Sequence, residues 1–141
     1  PHGYVSEIDP ATRDNICHTF TDMFGGECRT EGADRRICFS PDESGRYPAL
    51  WGHALNTRRA FYTNDPASHK ASIGIPDGHI SLTCFLSYPV IDGDQLVGQI
   101  VVANSPHGYE EKHETAIGRI ALTYAMAVRG TRLRGEDGHH E

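Results

Sequence analysis

The side chains with the widest chemical repertoire in this sequence are its four cysteines and nine histidines. The cysteines are Cys17, Cys28, Cys38 and Cys84, and no two of them have the C-x-x-C spacing of a zinc knuckle or a dithiol redox site. A chain of 141 residues buries enough surface to fold without a disulfide framework. We therefore interpret the cysteines as free thiols, which places the protein in the cytoplasm.

Three histidines fall in the part of the chain that offers a binding site. His53 lies in a predicted helix, and His69 and His79 lie in the long loop that follows it. A solvated or capped histidine is more common than a ligand-binding one, so their role depends on how the fold brings them together.

The common hydrolase and nucleotide-binding motifs are absent from the sequence. There is no G-x-S-x-G, no P-loop and no H-E-x-x-H, because His113-Glu114 lacks the second histidine. The adjacent acids Glu110 and Glu111 are better explained as the start of a helix than as an acid–base pair. We therefore expect the domain itself to be non-catalytic.

The charge balance argues against nucleic acid as a partner. Lys and Arg number 13 and Asp and Glu number 19, and the basic residues are dispersed. No apolar run is long enough to span a membrane, so we expect no membrane insertion by this segment. Pro1 is not an initiator methionine, which favours a segment of a longer protein.

The first half of the chain predicts a hairpin, a helix and a long loop. The hairpin pairs Gly3–Asp9 with Asn15–Phe24, and a short strand is expected at Arg36–Phe39. The other expected elements are the helix Ala49–Arg58, the strand Phe61–Thr63 and the loop Pro66–His79.

The second half predicts another hairpin and a terminal helix. Strand-like Leu82–Ile91 and Gln95–Ala103 flank Asp92-Gly93-Asp94, which we expect to form a turn of three or four residues with a bulge nearby. In the helix, one apolar stripe is expected, formed by Ile117, Ile120, Ala121, Tyr124, Ala125 and Val128.

Gly130 is expected to end this helix. Arg129, Arg132 and Arg134 would then lie at its carboxyl end, where cations suit the helix dipole. We accordingly assign residues 1–133 to one domain and residues 134–141 to a polar, disordered tail.

Hairpins rather than β-α-β crossovers indicate an antiparallel sheet, so the fold class is α+β. We expect the helices on one face of the sheet and the long loop across the other, where it would cover a pocket.

In addition to this order of elements, several segments of the sequence resemble those of a known family. They are Leu50–Leu55, Asn64–His69, Pro76–Ile80, Leu82–Val90 and Gly98–Asn104. Together they resemble the GAF domain family, in the branch attached to PAS-containing histidine kinases and diguanylate cyclases. The resemblance covers about residues 3 to 130 and is most specific over residues 47–104.

The resemblance implies a sensory domain of a two-component or related signalling protein. It would bind a small molecule, form a homodimer through terminal helices, and pass its signal through the last helix to an output domain in the same parent chain. The implied pocket residues are Trp51, His53, His69, His79, Phe85 and Tyr88.

Some GAF sensors of this branch carry haem, which makes haem a candidate cofactor here. Iron takes a His or Cys ligand in an apolar pocket, and Cys28 with His79 is the pair that the resemblance suggests, with His69 as the alternative histidine.

Other members of the GAF fold suggest different functions. Free methionine sulfoxide reductases share a step like Gly78-His79-Ile80 before their catalytic cysteine, although Cys84 lies too far downstream and Trp51 stands where those enzymes have another cysteine. A cyclic nucleotide would need a cation aimed inward, and Arg58 and Arg59 are expected to be exposed. A ligand-free dimerisation module is the remaining alternative.

Overall fold

A computed structural model describes residues 2–20, 37–73 and 81–138 of the chain. The described strands form one antiparallel sheet in the order β3-β2-β1-β6-β5-β4. Their bounds are β1 His2–Ile8, β2 Asn15–Phe20, β3 Cys38–Phe39, β4 Phe61–Thr63, β5 Phe85–Asp92 and β6 Gln95–Ala103. Both predicted hairpins are therefore present, and β1 joins them by pairing with β6.

The turn between β5 and β6 is tighter than the sequence predicts. Asp92 pairs with Gln95, so only Gly93 and Asp94 lie between the strands. Gly93 has a φ of 64°, a conformation that glycine adopts at little steric cost and that two-residue hairpins require. The expected bulge is present as a register shift between Val90 and Ile91.

Two helices accompany the sheet, α1 Ala49–Thr57 and α2 Glu111–Asp137. Helix α2 begins with a capping box in which the Glu110 amide donates to Nδ1 of His113 at 2.8 Å. The prediction that Gly130 ends this helix is wrong, because the helix continues for seven more residues. Residues 134–137, which the sequence placed in the tail, are helical.

Helix α2 packs on one face of the sheet through a stripe of small and branched side chains. The buried members of this contact are Val90, Val97, Ile100, Ala121, Ala125 and Val128, with Ile117 and Tyr124 half-buried beside them. Ile120 does not belong to the stripe as expected, since 56% of its side chain is exposed. We call this side of the sheet the α2 face.

Helix α1 packs on the opposite face, which we call the α1 face. Leu50 lies in a cluster with Tyr4, Phe85 and Val101, and Leu55 lies in a second cluster with Ile8. The α+β class and the antiparallel sheet are thus confirmed. The arrangement differs from expectation in one respect, because α1 shares the face on which only the loop was expected.

Charged contacts hold the carboxyl half of α2 to the sheet. Arg129 pairs with Asp92, and Arg132 lies 3.2 Å from Glu7 and donates to the Ile8 carbonyl at 2.7 Å. These arginines therefore bind sheet residues instead of marking the end of the helix. Within the described ranges, neither helix is long and apolar enough to cross a membrane.

Candidate functional site

The alternation of side chains along three central strands builds the α1 face. Phe85 and Ser87 of β5 and Gln99 of β6 point toward α1, and their immediate neighbours on each strand point toward α2. The bulge beside Val90 reverses this alternation, so Leu96 lies on the α1 face and Val97 on the α2 face. In β1, Tyr4 points toward α1 and Val5 toward α2. The α1 face therefore combines aromatic rings with buried polar groups.

Four rings meet at the amino half of α1, and we call them the aromatic–imidazole cluster: His53, Phe61, His69 and Phe85. The ring of His53 lies 4.9 Å from those of Phe61 and His69. Phe61 lies 5.0 Å from His69 and 5.9 Å from Phe85. The two imidazoles and Phe61 are half-buried, whereas Phe85 is buried. Such a group presents flat apolar surface together with ring nitrogens.

Backbone contacts fix His69 in this cluster. A single 3₁₀ turn, Pro66–Ser68, precedes it, and its amide donates to the Pro66 carbonyl at 3.2 Å. The Ala71 amide donates to Nδ1 of His69 at 3.1 Å. This bond requires an unprotonated Nδ1, so a neutral His69 carries its proton on Nε2, which has no hydrogen-bond partner among the described residues.

His53 is held in its neutral form by its surroundings. Its pKa is lowered from the ordinary value of 6.5, first by burial and then by the charges of His69 and Lys70. The described part of the cluster contains no carboxylate that would favour an imidazolium. Burial and neighbouring positive charge therefore both favour the uncharged imidazole of His53.

This pKa shift predicts how stability depends on pH. In the unfolded chain His53 takes up a proton at its ordinary pKa, whereas the folded protein resists protonation until a lower pH. The stability that this residue contributes is complete above about pH 6.5 and is lost as the pH falls below that value. Unfolding temperatures measured between about pH 8 and about pH 5 should decrease less steeply for His53→Gln. The exposed His107→Gln should keep the wild-type slope, and equal slopes in all three proteins would contradict the assignment.

Gln99 occupies the centre of the α1 face and is fully buried. Its Nε2 donates to the Trp51 carbonyl at 2.6 Å and to Oγ of Ser87 at 2.7 Å. Its Oε1 accepts from the Tyr4 hydroxyl at 2.8 Å and from Nδ2 of Asn15 at 3.0 Å. All four hydrogen-bonding positions of the amide are used, so Gln99 fixes α1 to three strands.

One side-chain atom of Asn15 in this network lacks a hydrogen-bond partner among the described residues. The residue is fully buried, and this atom is its Oδ1. A buried acceptor without a partner costs free energy, so a donor from a ligand or water would be favourable there.

The same network reaches through the sheet to α2. Oγ of Ser6 donates to the Gln99 carbonyl at 3.3 Å, and the Tyr124 hydroxyl donates to the Ser6 carbonyl at 2.9 Å. Gly98 allows this approach, because a Cβ there would lie 3.1 Å from the Tyr124 ring. A chain of hydrogen bonds thus connects Trp51 in α1 with Tyr124 in α2.

Four of the six pocket residues proposed from the sequence come together. His53, His69 and Phe85 belong to the aromatic–imidazole cluster, and Trp51 packs into the same apolar cluster as Phe85. Tyr88 does not join this group, because its side chain lies on the α2 face. Residues three apart on a strand point to opposite faces, so Phe85 and Tyr88 do not line one pocket.

Tyr88 instead supports the packing of α2. A Cβ at Gly118 would lie 2.7 Å from the Tyr88 hydroxyl oxygen, so the glycine makes room for the ring. His79 and Cys28, the pair proposed for haem iron, lie outside the described residues.

Sequence reasoning missed the polar part of the site. Gln99 interrupts the Val/Ile-rich strand β6, and a glutamine in a strand expected to be buried is itself a signal. The sequence predicts the strand of Phe61, but nothing in it connects Phe61 with the two histidines.

The described cysteines have few features of a reactive thiol. Burial first, and then Cys38, raises the pKa of Cys17 to about 12, whereas nucleophilic cysteines have lowered pKa values. The buried Cys84 donates to the Ser105 carbonyl at 3.4 Å. In residues 2–20, 37–73 and 81–138, His, Cys, Asp and Glu form no group of three or more that could hold a metal ion.

Comparison with known proteins agrees with this architecture. A family model described as GAF domain matches residues 1–129. The GAF domain of a phosphoenolpyruvate-protein phosphotransferase from Coxiella burnetii is similar in structure, with a TM-score of 0.74 and 18% identity over 96% of this chain and 75% of that chain. A GAF domain/HD domain protein from Geobacter sulfurreducens has a TM-score of 0.66 and 19% identity over 94% of this chain and 82% of its own. Comparison with curated proteins returned no match.

Proposed function

This chain belongs to the GAF domain family, and from that premise we propose that it is a sensory module of a larger signalling protein. It binds a small molecule on the α1 face and reports binding through α2 to an output domain of the same parent chain. The domain itself is non-catalytic and acts in the cytoplasm.

The aromatic–imidazole cluster is the observation that carries this proposal. Its rings are packed on one another at 4.9–5.9 Å, yet His53, Phe61 and His69 keep part of their surface open. Ligand sites are typically apolar surfaces with a few well-placed polar groups, and Nε2 of His69 is such a group here. The class of ligand that fits is a planar, uncharged molecule with hydrogen-bonding groups.

The hydrogen-bonded connection to α2 supports a signalling role. A ligand changes a conformational equilibrium only to the extent that it binds two states differently. Displacing α1 by contact with His53 strains the bond from Gln99 to the Trp51 carbonyl. The displacement is transmitted from Gln99 to Ser6 and from Ser6 to Tyr124 through their hydrogen bonds, and it changes the position of α2.

Haem remains a candidate ligand within this proposal. The proposed iron ligands Cys28 and His79 lie outside the described residues. His53 and His69 do not flank a macrocycle in this arrangement, since their rings contact each other at 4.9 Å.

Thermal unfolding with hemin and a panel of planar nitrogen heterocycles tests the proposal. A compound that binds only the folded protein raises the unfolding temperature in a concentration-dependent way. We expect at least one compound to do so, and His53→Ala and His69→Ala to abolish the shift while the exposed His107→Ala retains it. For hemin, binding appears as a Soret shift that depends on His79 or Cys28. A shift that survives both cluster variants would contradict a site on the α1 face.

A specific surface favours the second candidate, a ligand-free dimerisation module. Four large apolar side chains of α2 are more than half exposed: Ile120, Leu122, Met126 and Leu133. Leu122, Met126 and Leu133 share one side of the helix, and this stripe suits pairing with a second copy of the helix. A stable dimer that binds none of the compounds would favour this alternative, and mass measurement by light scattering on the same samples decides it.

A further inference from the structure

A second concavity lies beyond the carboxyl half of α1, away from the aromatic–imidazole cluster. It has a volume of about 390 Å³ and lies between the β1–β2 turn, the segment before α1, the end of α1 and the start of β6. This volume falls within the range of small-molecule sites. We call it the arginine groove.

The floor of the arginine groove is apolar. Tyr47, Leu55 and Leu96 line it, and each has no more than 5% of its surface exposed. These three residues pack with Ile8 in one cluster on the α1 face. A ligand with an apolar body can therefore contact surface that is already shielded from water.

Hydrogen bonds hold the walls of the groove in place. The Tyr47 hydroxyl donates to the Arg13 carbonyl at 2.6 Å, joining the segment before α1 to the β1–β2 turn. The Tyr47 amide donates to Oδ1 of Asn56 at 2.8 Å, and Nδ2 of Asn56 donates to the Tyr47 carbonyl at 2.7 Å. The groove is thus preformed, which lowers the entropy cost of binding.

Three arginines line this groove in a protein whose net charge is −6: Arg13, Arg46 and Arg58. Among the residues that the structure describes, none of the three forms an ion pair with a carboxylate, whereas Arg129 and Arg132 do. Arg58 donates one hydrogen bond to the Asp94 carbonyl. The other N–H groups of its guanidinium have no partner among the described residues and can bind an anion.

Two carboxylates beside the arginine groove, Asp9 and Asp42, each accept backbone amides through one oxygen, Oδ1. Asp42 lies beside Arg46, but its Oδ1 accepts from the Ser44 amide at 2.9 Å and the Arg46 amide at 3.0 Å. Asp9 accepts from the Ala11 and Thr12 amides at 2.8 and 2.9 Å. Because no described carboxylate lies within ion-pair distance of the three guanidinium groups, they keep donors for an anion from outside.

We propose that the arginine groove binds a phosphate ester with a small apolar or aromatic body. Guanidinium groups bind phosphate with paired, charge-assisted hydrogen bonds, and three of them on one groove suit a dianion. The apolar floor of the groove contacts the organic part of the ester and so favours esters with an apolar or aromatic group. This site is lined by three arginines and shares no residue with the aromatic–imidazole cluster, so a module with both sites would respond to two ligands.

Calorimetric titration with phenyl phosphate, inorganic phosphate and phenol tests this site. We expect phenyl phosphate to bind at least about tenfold more tightly than either of the others, since it alone uses both the arginines and the floor. Removing two cations with Arg13→Gln/Arg46→Gln should weaken its binding by at least about tenfold.

The controls separate this site from the surface in general and from the proposed function. Arg59→Gln removes an exposed arginine that does not line the groove, and His53→Gln alters the aromatic–imidazole cluster. Both variants should bind phenyl phosphate as the wild type does. Equal binding of all three compounds, or wild-type binding by the double arginine variant, would overturn the proposal whatever the fate of the His53 site.

Discussion

Replacing Gln99 with leucine should lower the free energy of unfolding by about 4 kcal/mol. The substitution keeps similar volume but removes the partner of four groups on the α1 face. The Trp51 carbonyl, Ser87, Tyr4 and Asn15 then lose the contacts that they make with the amide. A buried polar group without a partner costs about 1–3 kcal/mol, and partial relaxation makes the total smaller than the sum.

Gln95→Leu is the matched control for this measurement. It is the same substitution in the same strand, but Gln95 is exposed and precedes the buried part of β6. Its effect on urea-induced unfolding should stay within about 0.5 kcal/mol. If Gln99→Leu does not fold, Ser87→Ala removes only one partner of Nε2 and should cost about 1 kcal/mol. A Gln99→Leu protein as stable as the control would show that the network contributes little.

The prediction from the sequence was most accurate where the signal is local. The hairpin around Gly93 depends on neighbouring residues, since alternating apolar strands and a turn glycine specify it without help from the rest of the chain. The short strand Phe61–Thr63 and helix α1 were found for the same reason.

Where tertiary contacts override local preference, the prediction failed. Gly130 carries a helix-stopping tendency of about 1 kcal/mol, but Arg132 beyond it binds Glu7 and the Ile8 carbonyl. Those contacts stabilise the turns of α2 that follow Gly130. They involve residues about 125 positions away in sequence, so the periodicity of the helix could not reveal them.

At the candidate site, one spatial relation could have been predicted from the sequence and another could not. Strand alternation could have separated Tyr88 from Phe85, because their spacing is odd and that information is in the sequence. The contact between His53 and His69 is different, because helix α1 and the 3₁₀ turn, both packed on the sheet, together set the 4.9 Å separation of the two rings. The family resemblance suggested both residues, and only the structure relates them.

Replacing Gly52 with alanine should have the second large effect, a loss of about 3 kcal/mol or more in the free energy of unfolding. A Cβ at this position would lie 2.2 Å from the Tyr47 carbonyl oxygen and 2.4 Å from its carbonyl carbon. Backbone atoms cannot rotate away as the end of a flexible side chain does. Either α1 must leave the sheet or the segment before it must shift.

Both adjustments break contacts that the two binding proposals need. The segment is anchored by the Tyr47 hydroxyl on the Arg13 carbonyl and by the paired bonds with Asn56. Helix α1 is anchored by Gln99 at the Trp51 carbonyl. Gly52→Ala should therefore disturb the arginine groove and the aromatic–imidazole cluster together, which a substitution in only one of them does not do.

Gly135→Ala is the control, since it is the same substitution in a helix where the added Cβ meets no atom within 4 Å. Its higher helix propensity should leave stability unchanged or raise it by up to about 1 kcal/mol. Asn56→Ala supplies a second test, because it releases the Tyr47 segment from α1. Combined with Gly52→Ala it should cost less than the sum of the single effects, as expected for residues that share one contact. Strict additivity would mean that the cost of Gly52→Ala arises elsewhere in α1.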